Sequence, residues 1–203
     1  MEVIGQTVAR YRVLELLGAG GMGVVYKAQD DRLDRQVALK FVSSTLAQDP
    51  VALRQFKKEA RTASALSHPN ICTIYEIDEW DGQPFIAMEL LNGETVKQRL
   101  EQSKFDVPTL LDIAIQVASA LGAAHEKAII HRDVKPANIF ITDSGRVKLL
   151  DFGLAKRLPL AEVDDVVTTG FTSAGRILGT ASYMSPERLR GHDIDQRSDL
   201  FSL

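Results

Sequence analysis

The densest chemistry in this chain lies in His131-Arg132-Asp133-Val134-Lys135-Pro136-Ala137-Asn138, followed after a short strand pair by Asp151-Phe152-Gly153. Asp133 supplies a carboxylate that could accept or orient the proton of an attacking hydroxyl, and Lys135 a cation that could neutralise charge on a transferred phosphoryl group. Asn138 and Asp151 offer oxygen ligands of the kind that hold Mg²⁺ or Mn²⁺ against nucleotide phosphates. Singly, each is an ordinary polar loop residue. Jointly, in this order, they are the equipment of phosphoryl transfer.

Two upstream motifs fit the same chemistry. Gly18-Ala19-Gly20-Gly21-Met22-Gly23-Val24-Val25 matches G-x-G-x-x-G-x-V, and with few side chains in the way its backbone N–H groups could close over phosphates. A dinucleotide-binding fold would need a helix after the last glycine, whereas Val24 to Ala28 reads as a strand. A plain glycine-rich hairpin stays open as the other reading. Val37-Ala38-Leu39-Lys40 places a lysine near the end of an apolar strand, on the same face as Ala38. A lysine there is costly unless paired, and Glu59 on the following helix is the natural counter-charge, the two together able to hold α- and β-phosphates. The alternative is a solvated lysine on an edge strand, with Glu59 on an exposed helix face.

Positioning these groups requires a scaffold in two parts. Tyr11 to Leu17, Val24 to Ala28 and Gln36 to Val42 read as an antiparallel meander around the turn-forming Asp30-Asp31-Arg32-Leu33-Asp34. Asp49 and Pro50 give an N-cap and first-turn proline to a helix with Leu53, Phe56, Ala60, Ala63 and Leu66 at three-to-four spacing, ending before His68-Pro69. Ile71 to Asp78 and Pro84 to Leu90 are two more strands, joined at Asp81-Gly82. After Asn92-Gly93 the periodicity turns helical, over Thr95 to Gln102 and Pro108 to Lys127. The expected fold is α+β in two lobes: residues 1–91 with five antiparallel strands, one helix and a hinge, and residues 92–203, mainly helical. Pro159 to Arg176, rich in Asp, Thr, Ser and Gly, reads as a mobile loop.

Bulk properties set the frame. The chain has 203 residues with 45% hydrophobic content, enough to bury a core in one domain or two small lobes. Its net charge of −3, from 24 Lys+Arg against 27 Asp+Glu, gives no global basic field for nucleic acid or an anionic membrane. Met1 to Gln6 lacks the basic start and apolar stretch of a signal peptide. No uninterrupted apolar run approaches the roughly 20 residues of a membrane helix, so the expectation is a cytoplasmic chain without a membrane segment. The single cysteine, Cys72, cannot form an internal disulfide, and its apolar neighbours favour a buried small hydrophobe over a reactive thiol.

Taken in order, the glycine loop, Lys40, Glu59, His131-Arg132-Asp133, Asn138, Asp151-Phe152-Gly153 and Ser185-Pro186-Glu187 (in place of Ala-Pro-Glu) resemble the eukaryotic-type, or Hanks-type, protein kinases, from about Tyr11 to the last residue. Lys135, and Thr180 ahead of Ser185, resemble the serine/threonine rather than the tyrosine class. Gly20-Gly21-Met22-Gly23 and the run from Ala181 to Arg188 are most similar to bacterial members. The resemblance implies ATP and Mg²⁺ as cofactors and proteins with Ser or Thr hydroxyls as substrates. It places Met88 at the back of an adenine pocket, gives Glu89 and Leu91 backbone hydrogen bonds to adenine, and sandwiches the ring between Val25, Ala38 and Phe140. His68 resembles a structural histidine, while His125 and His192 receive no role.

The resemblance also implies control. Arg132 beside Asp133 would pair with phosphate on the activation segment, for which Thr172 and Ser173 are the best candidates and Thr168 and Thr169 the others. Autophosphorylation there, in trans within a kinase-domain dimer, is the expected activating step. Asp199 would brace the His131-Arg132 backbone. The sequence stops at Leu203 inside what the family makes a long helix, so Glu187 is expected to lack its arginine partner and residues 1–203 alone to be poorly stable and weakly active. Two other functions fit less of the sequence. A non-catalytic kinase-like scaffold would not need the intact Lys40, Asp133, Asn138 and Asp151, and a small-molecule phosphotransferase would not need the peptide-receiving segment before Ser185.

Overall fold

The computed structural model describes residues 3–20, 23–152 and 182–203. The chain divides into two compact units, one of Met1–Ser67 with Cys72–Asn92, the other of His68–Ile71 with Gly93–Leu203.

The first unit is an antiparallel sheet of β1 (Thr7–Val8), β2 (Tyr11–Gly20), β3 (Gly23–Asp30), β4 (Arg35–Val42), β5 (Ile74–Trp80) and β6 (Gln83–Glu89), in the order β1-β2-β3-β4-β6-β5. The sequence predicts five of these strands. The sixth, β1, is two residues long and turns back on β2 through Ala9 at φ +53, too short to leave a periodic signal. Asp81 and Gly82, both at positive φ, close the β5–β6 hairpin as their types predict.

Strand β4 shows why the sheet has two different faces. Val37, Leu39 and Phe41 alternate into a core with Tyr11, Val13, Tyr26, Ala28, Phe85 and Ala87. There Tyr26 and Phe41 meet edge-on at 5.9 Å, as do Tyr11 and Phe85 at 6.1 Å. Each such buried side chain contributes on the order of 1.5–3 kcal/mol. Ala38 and Lys40 point to the other face. Two helices follow β4: α1 (Ser44–Gln48), absent from the sequence reading, and α2 (Pro50–Ser64). The Asp49 carboxylate caps α2 by accepting from the N–H groups of Val51 (2.9 Å) and Ala52 (3.0 Å).

In the second unit β7 (Gly93–Thr95), β8 (Ile139–Thr142) and β9 (Val147–Leu149) form a small antiparallel sheet. Helix α3 (Val96–Gln102) starts in a capping box between Thr95 and Gln98. Helix α4 (Val107–His125), capped by Asp106, buries Ile113, Val117, Ala120, Leu121 and Ala124 along one stripe. Among the described residues it is the one helix long and apolar enough to cross a bilayer. Here it is tied to the strands. Its Gln116 Oε1 accepts from the Val147 N–H at 2.8 Å and from Asn70 Nδ2 at 2.9 Å. Two short helices, α5 (Pro186–Leu189) and α6 (Gln196–Ser202), complete the described part.

Candidate active site

Within the first unit, strand register gathers one set of predicted side chains. Directly paired residues share a sheet face, and the pairs are Gly18↔Val25, Val25↔Lys40 and Ala38↔Met88, with Ala38 and Lys40 two residues apart. Gly18, Val25, Ala38, Lys40 and Met88 therefore line the face opposite the aromatic core. Ala19 and Gly20 end β2, where Gly20 pairs with Gly23. Gly21 and Met22 lie outside the described residues.

The glycines divide by cause. A Cβ on Gly23, whose φ is +131°, would sit 1.8 Å from the Phe41 carbonyl oxygen, so the backbone itself demands glycine there. A Cβ on Gly18 or Gly20 would meet nothing within 4 Å. No intramolecular packing accounts for those two, and close approach of a ligand would. Glu59 lies on α2 and accepts from Gln55 Nε2 at 2.7 Å. After Met88, the Glu89 N–H donates to the Thr73 carbonyl (2.9 Å), and its carboxylate accepts from the Thr73 N–H (3.2 Å), which orients this backbone ahead of Leu91.

The second unit holds the catalytic-loop residues. Asp133 is 5% exposed. Its Oδ2 accepts from Lys135 Nζ at 2.7 Å and from Asn138 Nδ2 at 2.8 Å. Asn138 Nδ2 also donates to the Asp133 carbonyl at 2.8 Å, so the amide nitrogen is turned inward and Oδ1 is the atom directed elsewhere. A 3₁₀ turn at Pro136–Asn138 sets this geometry, and the Asn138 carbonyl takes the Leu150 N–H at 2.9 Å, fixing the chain just before Asp151. Asp151 adopts φ +57°, a conformation Asp tolerates better than most residues. Phe140 sits in β8, opposite Thr95 and Lys148.

Behind the loop, His131 is fully buried. Its Nε2 donates to the Leu150 carbonyl at 2.7 Å, Nδ1 accepts from the Asp133 N–H at 3.2 Å, and its ring packs on Phe152 at 4.6 Å. Burial pushes its pKa below the ordinary 6.5, holding the imidazole neutral. Arg132 stands at φ +68°, which costs roughly 1–2 kcal/mol for a non-glycine residue. Both of its peptide groups are held. Asp199 Oδ1 accepts its N–H at 2.7 Å, and the Arg188 guanidinium donates to its carbonyl. Asp199 Oδ2 also accepts the His131 N–H at 2.8 Å.

Several residues escaped the sequence reading or differ from it. Glu187, expected to lack a partner, accepts from the Ser198 hydroxyl, which holds its carboxyl below the usual range. His125 contacts Asp199 Oδ2 at 2.8 Å. Asn70 donates to the Val147 carbonyl at 2.8 Å. His68 accepts the Asn70 N–H on Nδ1 (3.1 Å) and meets Ser119 Oγ at 3.3 Å, a structural role. Gly153, Thr168, Thr169, Thr172, Ser173 and Thr180 lie outside the described residues.

These two sets of residues are those of a phosphotransferase, and comparison with known proteins gives the class. The model of the protein kinase domain matches residues 11–203, and the chain belongs to that family. It is 40% identical over 207 residues to the serine/threonine-protein kinase PknA of Mycobacterium tuberculosis, covering 98% of this chain and 46% of that protein. It is 38% identical over 203 residues to the serine/threonine-protein kinase PrkC of Bacillus subtilis, covering 99% and 30%. The chain thus spans less than half the length of these curated relatives. A crystal structure of the PknI kinase domain of M. tuberculosis superposes with a TM-score of 0.79 at 34% identity, covering 98% of this chain and 70% of that one. The two-lobed kinase fold is therefore the fold of this chain, with a six-stranded rather than a five-stranded sheet in the first lobe.

The family generally uses ATP with Mg²⁺, and the donor set present here fits that cation. Asn138 Oδ1 and the Asp151 carboxylate are hard oxygen donors, and among the described residues no three His, Cys, Asp or Glu side chains form a cage. Mg²⁺ is bound in this way, through one or two protein groups with substrate phosphates and water supplying the rest.

Proposed function

We propose that the protein is a serine/threonine protein kinase, transferring the γ-phosphoryl group of ATP to Ser or Thr hydroxyls of protein substrates. The observation that carries this reading is the Asp133 carboxylate. Both of its donors, Lys135 and Asn138, converge on Oδ2. Oδ1 is then the oxygen that meets a substrate hydroxyl and takes its proton as the phosphoryl group transfers. Lys135, already beside that carboxylate, neutralises charge on the transferred group. Asn138 and Asp151 hold Mg²⁺, or Mn²⁺ in its place, which when bound bridges and neutralises the phosphate oxygens.

In this reading residues 1–91 bind the nucleotide and residues 92–203 carry the catalytic loop and activation segment. Gly18 to Gly23 cover the phosphates, Lys40 with Glu59 holds the α- and β-phosphates, and Val25, Ala38, Met88 and Phe140 contact the adenine. Glu89 offers adenine its carbonyl, since its N–H serves Thr73, and Leu91 supplies the second backbone contact. Autophosphorylation at Thr172 or Ser173, or at Thr168 or Thr169, activates the enzyme by pairing with Arg132, in trans within a dimer, and Thr180 and Glu187 shape the substrate segment. The catalytic region works in the cytoplasm.

A phosphotransfer assay with Mg·ATP and a Ser/Thr-containing protein acceptor tests this. Asp133→Asn should lower incorporation by about 10²- to 10⁴-fold, the usual contribution of a positioned base. Equal incorporation by the two proteins would sink the assignment.

A further inference from the structure

The catalytic loop is braced through a single carboxylate, and that carboxylate has a third donor. Asp199 is 1% exposed, and its two oxygens take the N–H groups of His131 (2.8 Å) and Arg132 (2.7 Å). Both donors belong to the loop being braced. Alone they would let loop and carboxylate shift together, and Asp199 lies in α6, a helix of only seven residues.

The third donor is independent of the loop. His125, the last residue of the nineteen-residue α4, has its side chain 11% exposed and its Nε2 2.8 Å from Asp199 Oδ2. A buried carboxylate makes strong, short bonds to such donors and is costly to leave partly unpaired. The imidazole presents N–H to the carboxylate whether neutral at Nδ1 or charged, so Nε2 is the donor in either state. Helix α4 is itself anchored along its length by its buried stripe and by Gln116. The chain that leaves it turns at Ala128 (φ +57°), with the Ile129 N–H returning to the Ala124 carbonyl at 3.0 Å, and reaches His131 two residues later.

We infer that His125 is a positioning residue for phosphoryl transfer. It registers Asp199 against α4, and Asp199 in turn holds the left-handed Arg132 and aims Asp133. No contact of His125 with substrate or nucleotide is involved. The kinetic part rests on the kinase reading above; the exchange part does not.

The test compares His125→Phe, which keeps ring volume and loses the donor, with His125→Gln, which keeps an N–H donor, in the full-length protein. With Mg·ATP and histone as acceptor, His125→Phe should lower kcat about tenfold while the KM for ATP stays within about twofold, and His125→Gln should stay within about threefold of the parent kcat. In amide hydrogen exchange, the peptide spanning residues 129–135 should exchange about tenfold faster in His125→Phe and at the parent rate in His125→Gln. Where His125→Phe fails to fold, His125→Leu takes its place. Parent kcat and parent exchange in the Phe variant would overturn the inference, as would equal losses in the Phe and Gln variants. If the parent protein transfers no phosphate, the kinase reading fails and the exchange comparison alone decides for or against the role of His125.

Discussion

At the residue scale, chemistry is readable where partners are close in sequence. Asp133, Lys135 and Asn138 fall within one turn of chain, and their spacing already implies a shared carboxylate. His125 and Asp199 are 74 positions apart, and neither local pattern nor periodicity connects them. The glycine loop sits between these cases, because glycine is needed there for two unrelated reasons. Gly23→Ala should destabilise the fold by roughly 1–3 kcal/mol from backbone conformation, with the overlap on the Phe41 carbonyl added. Gly18→Ala, facing open space, should change stability by no more than about 0.5 kcal/mol and act instead on the KM for ATP. Urea melts beside ATP titrations separate the two. His131 carries a pH signature as well. Its pKa is lowered on folding, so between the folded value and the unfolded 6.5 the unfolded chain binds more protons. The contribution of neutral His131 is complete above that window and is lost as pH falls through it, at up to about 1.4 kcal/mol per pH unit. His131→Phe starts less stable at pH 7, having lost the bonds to Leu150 and Asp133. The gap between parent and variant should narrow from pH 7 to pH 5 in thermal melts, and a constant gap would contradict the assignment.

At the element scale, legibility follows length and capping. Helix α2 announces itself by Asp49-Pro50 and an apolar stripe, and the structure uses Asp49 as its cap. Strand β1, of two residues, and helix α1, of five, are too short for a period to register. The joining of elements is harder still to read. Residues His68–Ile71 belong with the second unit, and the reason is Asn70, whose side chain reaches Val147 and Gln116 while its carbonyl accepts the Leu149 N–H at 2.8 Å. Nothing in His-Pro-Asn as a string identifies a partner 77 residues away. Asn70→Ala removes both side-chain bonds and leaves the Val147 carbonyl buried without its donor, which should cost about 1–3 kcal/mol. The loss should appear in equilibrium unfolding of the second unit, with increased exchange at the β9 amides. A variant within about 0.5 kcal/mol of the parent would show that this tie is dispensable.

At the scale of the whole molecule, the order of motifs along the chain identifies the family before any contact is known, because phosphoryl transfer relies on positioned charge rather than on one reactive side chain. Each motif alone leaves an ordinary alternative, and the series does not. The same reasoning predicts how the molecule responds to its cofactors. A ligand that binds only the folded chain stabilises it by RT ln(1 + [L]/Kd), about 2.7 kcal/mol at a hundredfold excess over Kd, and for a chain of 203 residues this corresponds to a Tm increase of about 5–10 °C. Mg·ATP should produce that shift, and EDTA should remove the part that depends on the metal. Asp151→Asn is the informative variant, because asparagine tolerates the φ of +57° at this position while losing the carboxylate charge. It should keep the ligand-free Tm within about 2 °C and lose most of the Mg²⁺-dependent increment, measured by differential scanning fluorimetry across an ATP series at fixed Mg²⁺. An undiminished increment in Asp151→Asn would remove Asp151 from the metal site, and an ATP shift indifferent to EDTA would remove the metal from the binding step altogether.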